Sequence, residues 1–294
     1  MDTAPDWDSY RSLLAVLEEG SLSGAARRLG LTQPTIGRHI EAIEIGLKRP
    51  LFIRSQRGLA PTDAALALKP YAEALQANAE ALVRAASRDE GRAEGPVRIT
   101  ASEVIAAEVL PYILTGLAER EPGLSFDIEA SDRNLDLMSR AADVAIRMAE
   151  PVQQSLVAVK TGEAELGLYA TPAYVARRGP LEFMADAGRH LLIGFDRYTP
   201  LVRALTERHA LPPREAFAYR TDAPLASIGA IRSGFGAGVC QSGIARREGW
   251  VRLLPALSIS LPCWVVMHED LKANPACRAT FDALVEGMRA YVRS

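Results

Sequence analysis

The sequence predicts a mainly α N-terminal module, then a long helix, then a C-terminal α/β region. Three observations carry this. Apolar residues repeat at helical spacing from Tyr10 to Leu47. An alanine-rich stretch without glycine runs from Thr62 to about Ser87. Beyond Pro96, short β-prone runs alternate with helical stretches. The 294 residues allow about two domains, and 48% hydrophobic with 24% charged residues suits an ordinary globular chain.

Tyr10, Leu13, Leu14 and Leu17 form one face of a first helix, which Gly20 ends. Ser21 caps a second helix with the apolar face Leu22, Ala25, Ala26 and Leu29, closed by Gly30. Thr32 is the expected cap of a third helix, and Pro34 suits its first turn. Ile36, Ile40, Ile43 and Leu47 line one side of that helix. Pro34, Thr35, Arg38 and Ala42 fall on the other. Two short helices, a tight turn and a third helix with a small, polar outer face describe a helix-turn-helix. Small residues let such a helix enter a major groove about 12 Å wide. Gln33 offers an amide to adenine, and Arg38 reaches base edges or phosphate. Gln33, Pro34, Thr35, Arg38 and His39 are therefore the candidate DNA contacts, although Thr35 or His39 alone would read as plain helix surface.

Leu51 to Ile53 is a short β-prone run, and Arg57-Gly58 reads as a turn tip. A two-stranded wing would bring Arg54 and Arg57 to the DNA backbone or minor groove. Charge agrees. The chain carries −2 overall, yet Ser21 to Ala60 holds seven basic and two acidic residues. A local basic face on an acidic protein suits phosphate contact by one module.

The stretch from Gly20 to Thr35, GSLSGAARRLGLTQPT, resembles the DNA-binding signature of LysR-type transcriptional regulators. So do Pro50-Leu51-Phe52-Ile53-Arg54, Arg57-Gly58-Leu59 and Thr62. Two departures stand out: Lys48 and Ala65 occupy positions where the family usually has glycine. The resemblance implies a regulator of transcription that binds double-stranded DNA.

In the long helix Ala64, Leu68, Tyr71, Leu75, Asn78 and Leu82 form a heptad seam, which implies a partner helix. A helix packed on its own domain is the alternative. Pro70 is expected to bend the first turns. The resemblance implies dimerisation through this helix, with Leu68, Tyr71, Leu75 and Leu82 as contacts, and a homodimer or homotetramer. Ser87 to Pro96 reads as a polar hinge.

Strands are expected at 97–100, 124–130, 144–147, 165–170, 191–195, 238–241 and 262–267, in a mostly parallel sheet. Helices are expected from about Leu135 to Ala141 and from about Pro275 to Val292. Leu110-Pro111, Pro122-Gly123, Ala142 to Arg147 and Leu168 to Tyr174 also resemble the family's effector domain. That domain is an α/β fold like a periplasmic solute-binding protein, with two lobes joined by two crossovers. The expected boundaries are a winged helix-turn-helix over 1–61, linker helix and hinge over 62–95, and effector-binding domain over 96–294. Within the last, lobe 1 spans about 96–161 and 266–294, and lobe 2 about 162–265. The crossovers are expected near Lys160–Gly162 and Val265–His268.

A small-molecule effector would lie between the lobes, at the carboxyl ends of strands. Thr100 and Ser102 end the first strand and open a helix, and Glu103 places a negative charge beside them. Across the cleft Asp196 ends a strand and Thr221 follows another, and the carboxylates there would receive an ammonium group. Ser102 as a mere helix cap, and carboxylates merely solvated, are the plain alternatives.

Gly234, Gly236 and Gly238 form G-x-G-x-G, but a helix precedes them and a strand follows, the reverse of a nucleotide fingerprint. Cys240, Cys263 and Cys277 form no C-x-x-C and read as buried thiols. Hydrolase, P-loop and metal motifs are missing, so no enzyme, cofactor or metal is expected. An enzyme or a cytosolic solute-binding protein built on the α/β region is the competing class. No apolar run approaches a membrane span, and the acidic start Met1 to Asp6 does not resemble a secretory signal. A cytoplasmic protein without a membrane partner is expected.

Overall fold

The computed structural model describes residues 5–55, 58–86, 92–131, 142–151, 156–209 and 211–293. The chain divides into two compact units, one within residues 1–88 and the other holding residues 89–134 and 142–294.

The first unit opens with α1 (Trp7–Glu19), α2 (Leu22–Leu29) and α3 (Gln33–Leu47). Local chemistry sets their ends. Asp6, Ser21 and Thr32 each accept a hydrogen bond from the backbone N–H three residues on, and Gly20 and Gly30 adopt the left-handed conformation that stops α1 and α2. Leu13, Val16, Ala25, Ile36, Ile40, Ile43 and Leu51 close the core between the helices. Leu47, in the last turn of α3, is 45% exposed instead of joining the apolar face expected for it. The wing is β1 (Phe52–Ser55) paired antiparallel with β2 (Gly58–Pro61). Glu44 ties it to α3, because its Oε1 accepts from the N–H groups of Leu51 and Phe52. The long helix α4 (Asp63–Ala86) continues through Pro70.

The second unit is built on a nine-stranded sheet. Lobe 1 contributes β3 (Gly95–Ala101), β4 (Leu124–Ala130) and β5 (Val144–Arg147). Lobe 2 contributes β7 (Leu192–Gly194), β8 (Phe217–Arg220), β9 (Ala237–Gln241) and β10 (Val251–Leu253). Two long strands, β6 (Leu156–Ala170) and β11 (Ile259–His268), pass through both lobes. The sheet order is β4-β3-β5-β11-β6-β9-β7-β8, with β10 on β6. Pairing is parallel at β3–β4, β3–β5, β7–β8 and β7–β9. It is antiparallel wherever β6 or β11 takes part. The sheet is thus mixed, not mostly parallel, because two strands that leave and re-enter a lobe must run opposite ways.

Helices cover the sheet: α5 (Glu103–Glu108), α6 (Leu110–Arg120) and α11 (Pro275–Arg293) in lobe 1, and α7 (Pro172–Arg178), α8 (Pro200–His209), α9 (Pro224–Arg232) and α10 (Ser242–Arg247) in lobe 2. One core holds Ile99, Leu110, Ala164, Cys263, Val265, Phe281 and Leu284. The other holds Leu168, Leu192, Phe217, Leu253 and Ile259. The lobe change therefore falls between Ala164 and Leu168 in β6, and between Ile259 and Cys263 in β11. The latter precedes the expected Val265–His268, a run that pairs with β5 through Met267. Gly162, with φ of 142°, lies just before the first change, and a Cβ there would meet Val292 at 2.5 Å.

Gly234 follows α9 in the left-handed conformation and β9 comes after it, so the glycine triplet has helix-then-strand order. Gly236 is needed for close packing: a Cβ would lie 2.1 Å from the Leu191 carbonyl oxygen. The helix expected at Leu135 to Ala141 and the first half of the hinge, 87–91, lie outside the described residues. Among the described residues no helix is long and apolar enough to cross a membrane.

Candidate functional site

In the first unit α3 buries Ile36, Ile40 and Ile43 and turns Gln33, Pro34 and Arg38 outward, with Thr35 half-buried. Thr35 is held in place, its N–H and hydroxyl both on the Thr32 side chain. The Ser23 hydroxyl donates to Gln33 Oε1 at 3.2 Å, which leaves the Gln33 amide N–H groups for another partner. Arg38 is exposed and has no ion pair or hydrogen bond among the described residues.

His39 is tied into the helix pair. It is half-buried, and its Nδ1 lies 2.7 Å from the hydroxyl of the fully buried Ser12. A buried hydroxyl requires a partner, and His39 supplies it from the neighbouring helix. His39 thus joins α1 to α3. Arg54 lies on β1 with its side chain undescribed, and Arg57 lies outside the described residues.

Along α4 the expected seam splits. Ala64 and Leu68 pack against the three-helix core. Tyr71, Leu75 and Leu82 remain exposed, at 71%, 42% and 68%. The lower end of the seam is thus consumed within the chain, while the upper part offers apolar side chains to water.

The second unit treats the expected effector residues differently. Thr100 is only 2% exposed, and its hydroxyl accepts from an Arg147 guanidinium N–H at 3.1 Å. It links β3 to β5 through Arg147. Ser102 precedes α5 without a side-chain capping bond, and it and Glu103 are half-buried. Asp196 receives Arg214, through both its carboxylate and its backbone oxygen. Neighbouring Asp222 accepts from the N–H groups of Asp196 and Arg197 and from the Arg197 guanidinium, which hold its carboxyl below the usual range. These carboxylates are engaged with arginines.

Thr221 follows β8, and it alone of the five lines a cavity of about 380 Å³. That cavity lies wholly within lobe 2, between residues 166 and 259, and its walls are mostly aliphatic. Sequence reasoning did not find it, because its lining comes from seven separate stretches of chain. It also missed Asp143, whose carboxylate accepts from the Arg98 N–H at 2.9 Å while its own N–H donates to the Arg98 carbonyl.

Comparison with known proteins agrees with this architecture. The profile of the LysR substrate binding domain matches residues 90–289, and that of the bacterial regulatory helix-turn-helix protein, lysR family, matches residues 7–66. A probable hydrogen peroxide-inducible genes activator of Mycobacterium avium is 30% identical over 188 residues, covering 62% of this chain and 60% of that protein. The Mau operon transcriptional activator of Paracoccus denitrificans is 31% identical over 163 residues, covering 55% and 57%. The chain thus spans less than two thirds of the length of these relatives. Among solved structures, the LysR family transcriptional regulator CbnR superposes with a TM-score of 0.66 at 20% identity, over 98% of this chain and 100% of that one. The same protein crystallised with its target DNA gives a TM-score of 0.62 at 19% identity, over 97% and 99%. With one family profile covering more than half of its length and a second covering its N-terminal module, this chain belongs to the LysR family of bacterial regulatory helix-turn-helix proteins.

Proposed function

We propose that the protein is a sequence-specific DNA-binding transcriptional regulator, active as a homodimer or homotetramer in the cytoplasm, whose activity a small-molecule effector modulates. The observation that carries this reading is α3. Its apolar face is buried, its start is capped by Thr32, and its outward face presents Gln33, Pro34 and an Arg38 with no partner among the described residues. Such a helix suits a major groove. Arg54 and Arg57 on the wing would add phosphate contacts, which raise affinity without choosing sequence. Pairing through Tyr71, Leu75 and Leu82 would place two such helices on two half-sites. We assign no catalytic role.

Effector entry between the lobes near Ser102 and Glu103 is part of this reading. Oxidation of a thiol is a poorer sensing chemistry for this chain, despite the peroxide response in a relative's name. Cys240, Cys263 and Cys277 are all buried. Burial pushes the Cys240 thiol up to about 12 and the Cys263 thiol up to about 11, so the reactive thiolate is scarce.

A gel shift with genomic fragments, at fixed salt, tests the function. Arg38→Ala is expected to weaken specific binding by about 1–3 kcal/mol. Arg57→Ala is expected to weaken all sequences alike and flatten the salt dependence. Absence of any specific fragment, or an unchanged affinity for Arg38→Ala, overturns the assignment of α3.

A further inference from the structure

The cavity in lobe 2 lies beneath α8, with Val202 and Leu205 above, Leu168 and Val239 from the sheet below, and Leu254 and Leu257 closing one side. It is poorly suited to water. An ordered water needs two to four polar partners, and only four of the lining residues are polar, three of them already hydrogen-bonded within the chain. Its volume of about 380 Å³ falls within the range of small-molecule sites. An apolar cavity of about 150 Å³ holds benzene, so this one accommodates on the order of fifteen non-hydrogen atoms.

The polar side chains that line it are few: Thr199, Thr221, Asp222 and Ser227. Thr199 accepts from the Val202 N–H at the start of α8. Thr221 accepts from the Ala223 N–H at 3.1 Å, which leaves its hydroxyl proton to donate. The half-buried Ser227 hydroxyl has no hydrogen-bond partner among the described residues. Asp222 is the one charged side chain in the lining, and its oxygens already hold Arg197 and two backbone N–H groups. Among the described residues no cation lines the cavity to receive an anionic head.

We infer that this cavity is a binding site, separate from any site between the lobes, for a neutral apolar molecule with a single hydrogen-bonding end, such as an alcohol, ketone or ester. The apolar body lies between α8 and the sheet, and the polar end meets Thr221 and Ser227. A carboxylate-headed molecule of equal length is disfavoured, because its charge would lie beside the Asp222 carboxylate, and the Arg197 guanidinium there is already paired with that carboxylate. Occupancy fills space that α8 covers, so the ligand ties α8 to the sheet and raises the stability of lobe 2 by mass action.

The test uses the full chain and the neutral fluorescent probe N-phenyl-1-naphthylamine. Saturable binding of one probe per chain is expected, with displacement by decan-1-ol. Decanoate at neutral pH is expected to displace it at least tenfold less well. Leu205→Trp and Val202→Phe each fill the cavity from α8 and are expected to weaken probe binding at least tenfold, with circular dichroism unchanged. Two variants guard against one that fails to fold. Binding that survives in both folded variants overturns the site, as does a lack of saturable binding to the parent chain. Equal displacement by decanoate overturns the neutral-head assignment. Loss of probe binding in Ser102→Trp would put the ligand at the end of β3 and overturn the lobe 2 placement. DNA binding is not read in these assays, so failure here leaves the regulator reading to its own gel shift.

Discussion

Glu108 at the end of α5 and Arg247 on α10 lie 139 residues apart in the chain, and the Arg247 guanidinium donates to both the carboxylate and the backbone oxygen of Glu108. The same carboxylate accepts from Arg232 on α9 at 2.9 Å, and Arg232 also reaches Glu248 at 2.9 Å. One acid of lobe 1 thus holds two arginines of lobe 2. Arg247 also lies over the Tyr112 ring, 4.5 Å from its centre.

This cluster is expected to brace the two lobes. The Glu108 side chain is only 13% exposed, so its charge-assisted bonds are partly shielded from water. The arginines are 30% and 42% exposed, which reduces the gain. Glu108→Gln is expected to cost about 1–2 kcal/mol in urea unfolding. A double-mutant cycle with Arg247→Gln should give a coupling near ~1 kcal/mol. Strict additivity of the two changes would show that the pair contributes no coupling.

Lys48 ends α3 with φ of 53° and ψ of 35°, a left-handed conformation that costs a residue bearing Cβ about 1–2 kcal/mol. Glycine pays no such penalty but loses more chain entropy on folding. Lys48→Gly is therefore expected to stabilise the first unit by about 0.5–1 kcal/mol. Hydrogen exchange of the α1 and α3 core amides should slow by roughly two- to fivefold. Faster exchange would mean that the lysine side chain contributes more than its backbone conformation costs.

Leu75 and Leu68 separate two roles of α4. Leu75 is exposed and would face a partner helix, so Leu75→Glu is expected to convert dimer to monomer in sedimentation with helix content kept. Leu68 packs on the three-helix core, so Leu68→Glu is expected to lower the stability of the first unit itself. Full dimerisation of Leu75→Glu would remove the upper seam from the interface.

His190 is a buried histidine whose pKa is lowered, chiefly by desolvation. Its Nδ1 lies 3.4 Å from the Tyr174 hydroxyl, which itself accepts from the Leu191 N–H at 2.8 Å. Unfolded histidine takes a proton near pH 6.5, above the folded value. Stability is therefore full above about 6.5 and is lost as pH falls through the lowered folded pKa. Urea midpoints at pH 7.5 and 5.5 check this. The parent chain should lose stability between them, and His190→Gln should lose less. An equal loss in both would assign the dependence to other groups.

Much of the first unit was legible in the sequence because its signals are local. Ser21, Thr32, Gly20 and Gly30 act on their own helices, and the apolar spacing of α1 to α3 is read within one or two turns. The family motif lies in the same continuous stretch. In the second unit the short strands 124–130 and 144–147 were legible for the same reason. Only parts of β6 and β11 were, since Lys160, Thr161, Gly162 and Glu163 interrupt the apolar pattern where β6 approaches the other lobe.

What only the tertiary structure decided is which distant groups meet. His39 serves Ser12 across 27 residues, Arg147 serves Thr100 across 47, and Arg247 serves Glu108 across 139. Each pairing joins side chains whose local settings announce no such partner. The apolar space around Thr221 is of the same kind. Periodicity records which face of an element is apolar, but not whether the facing surfaces fill the volume between them. By itself the sequence determined the modules, their order and the family; side-chain direction and the fit between separate stretches, which depend on the folded backbone, determined which residues are free to bind.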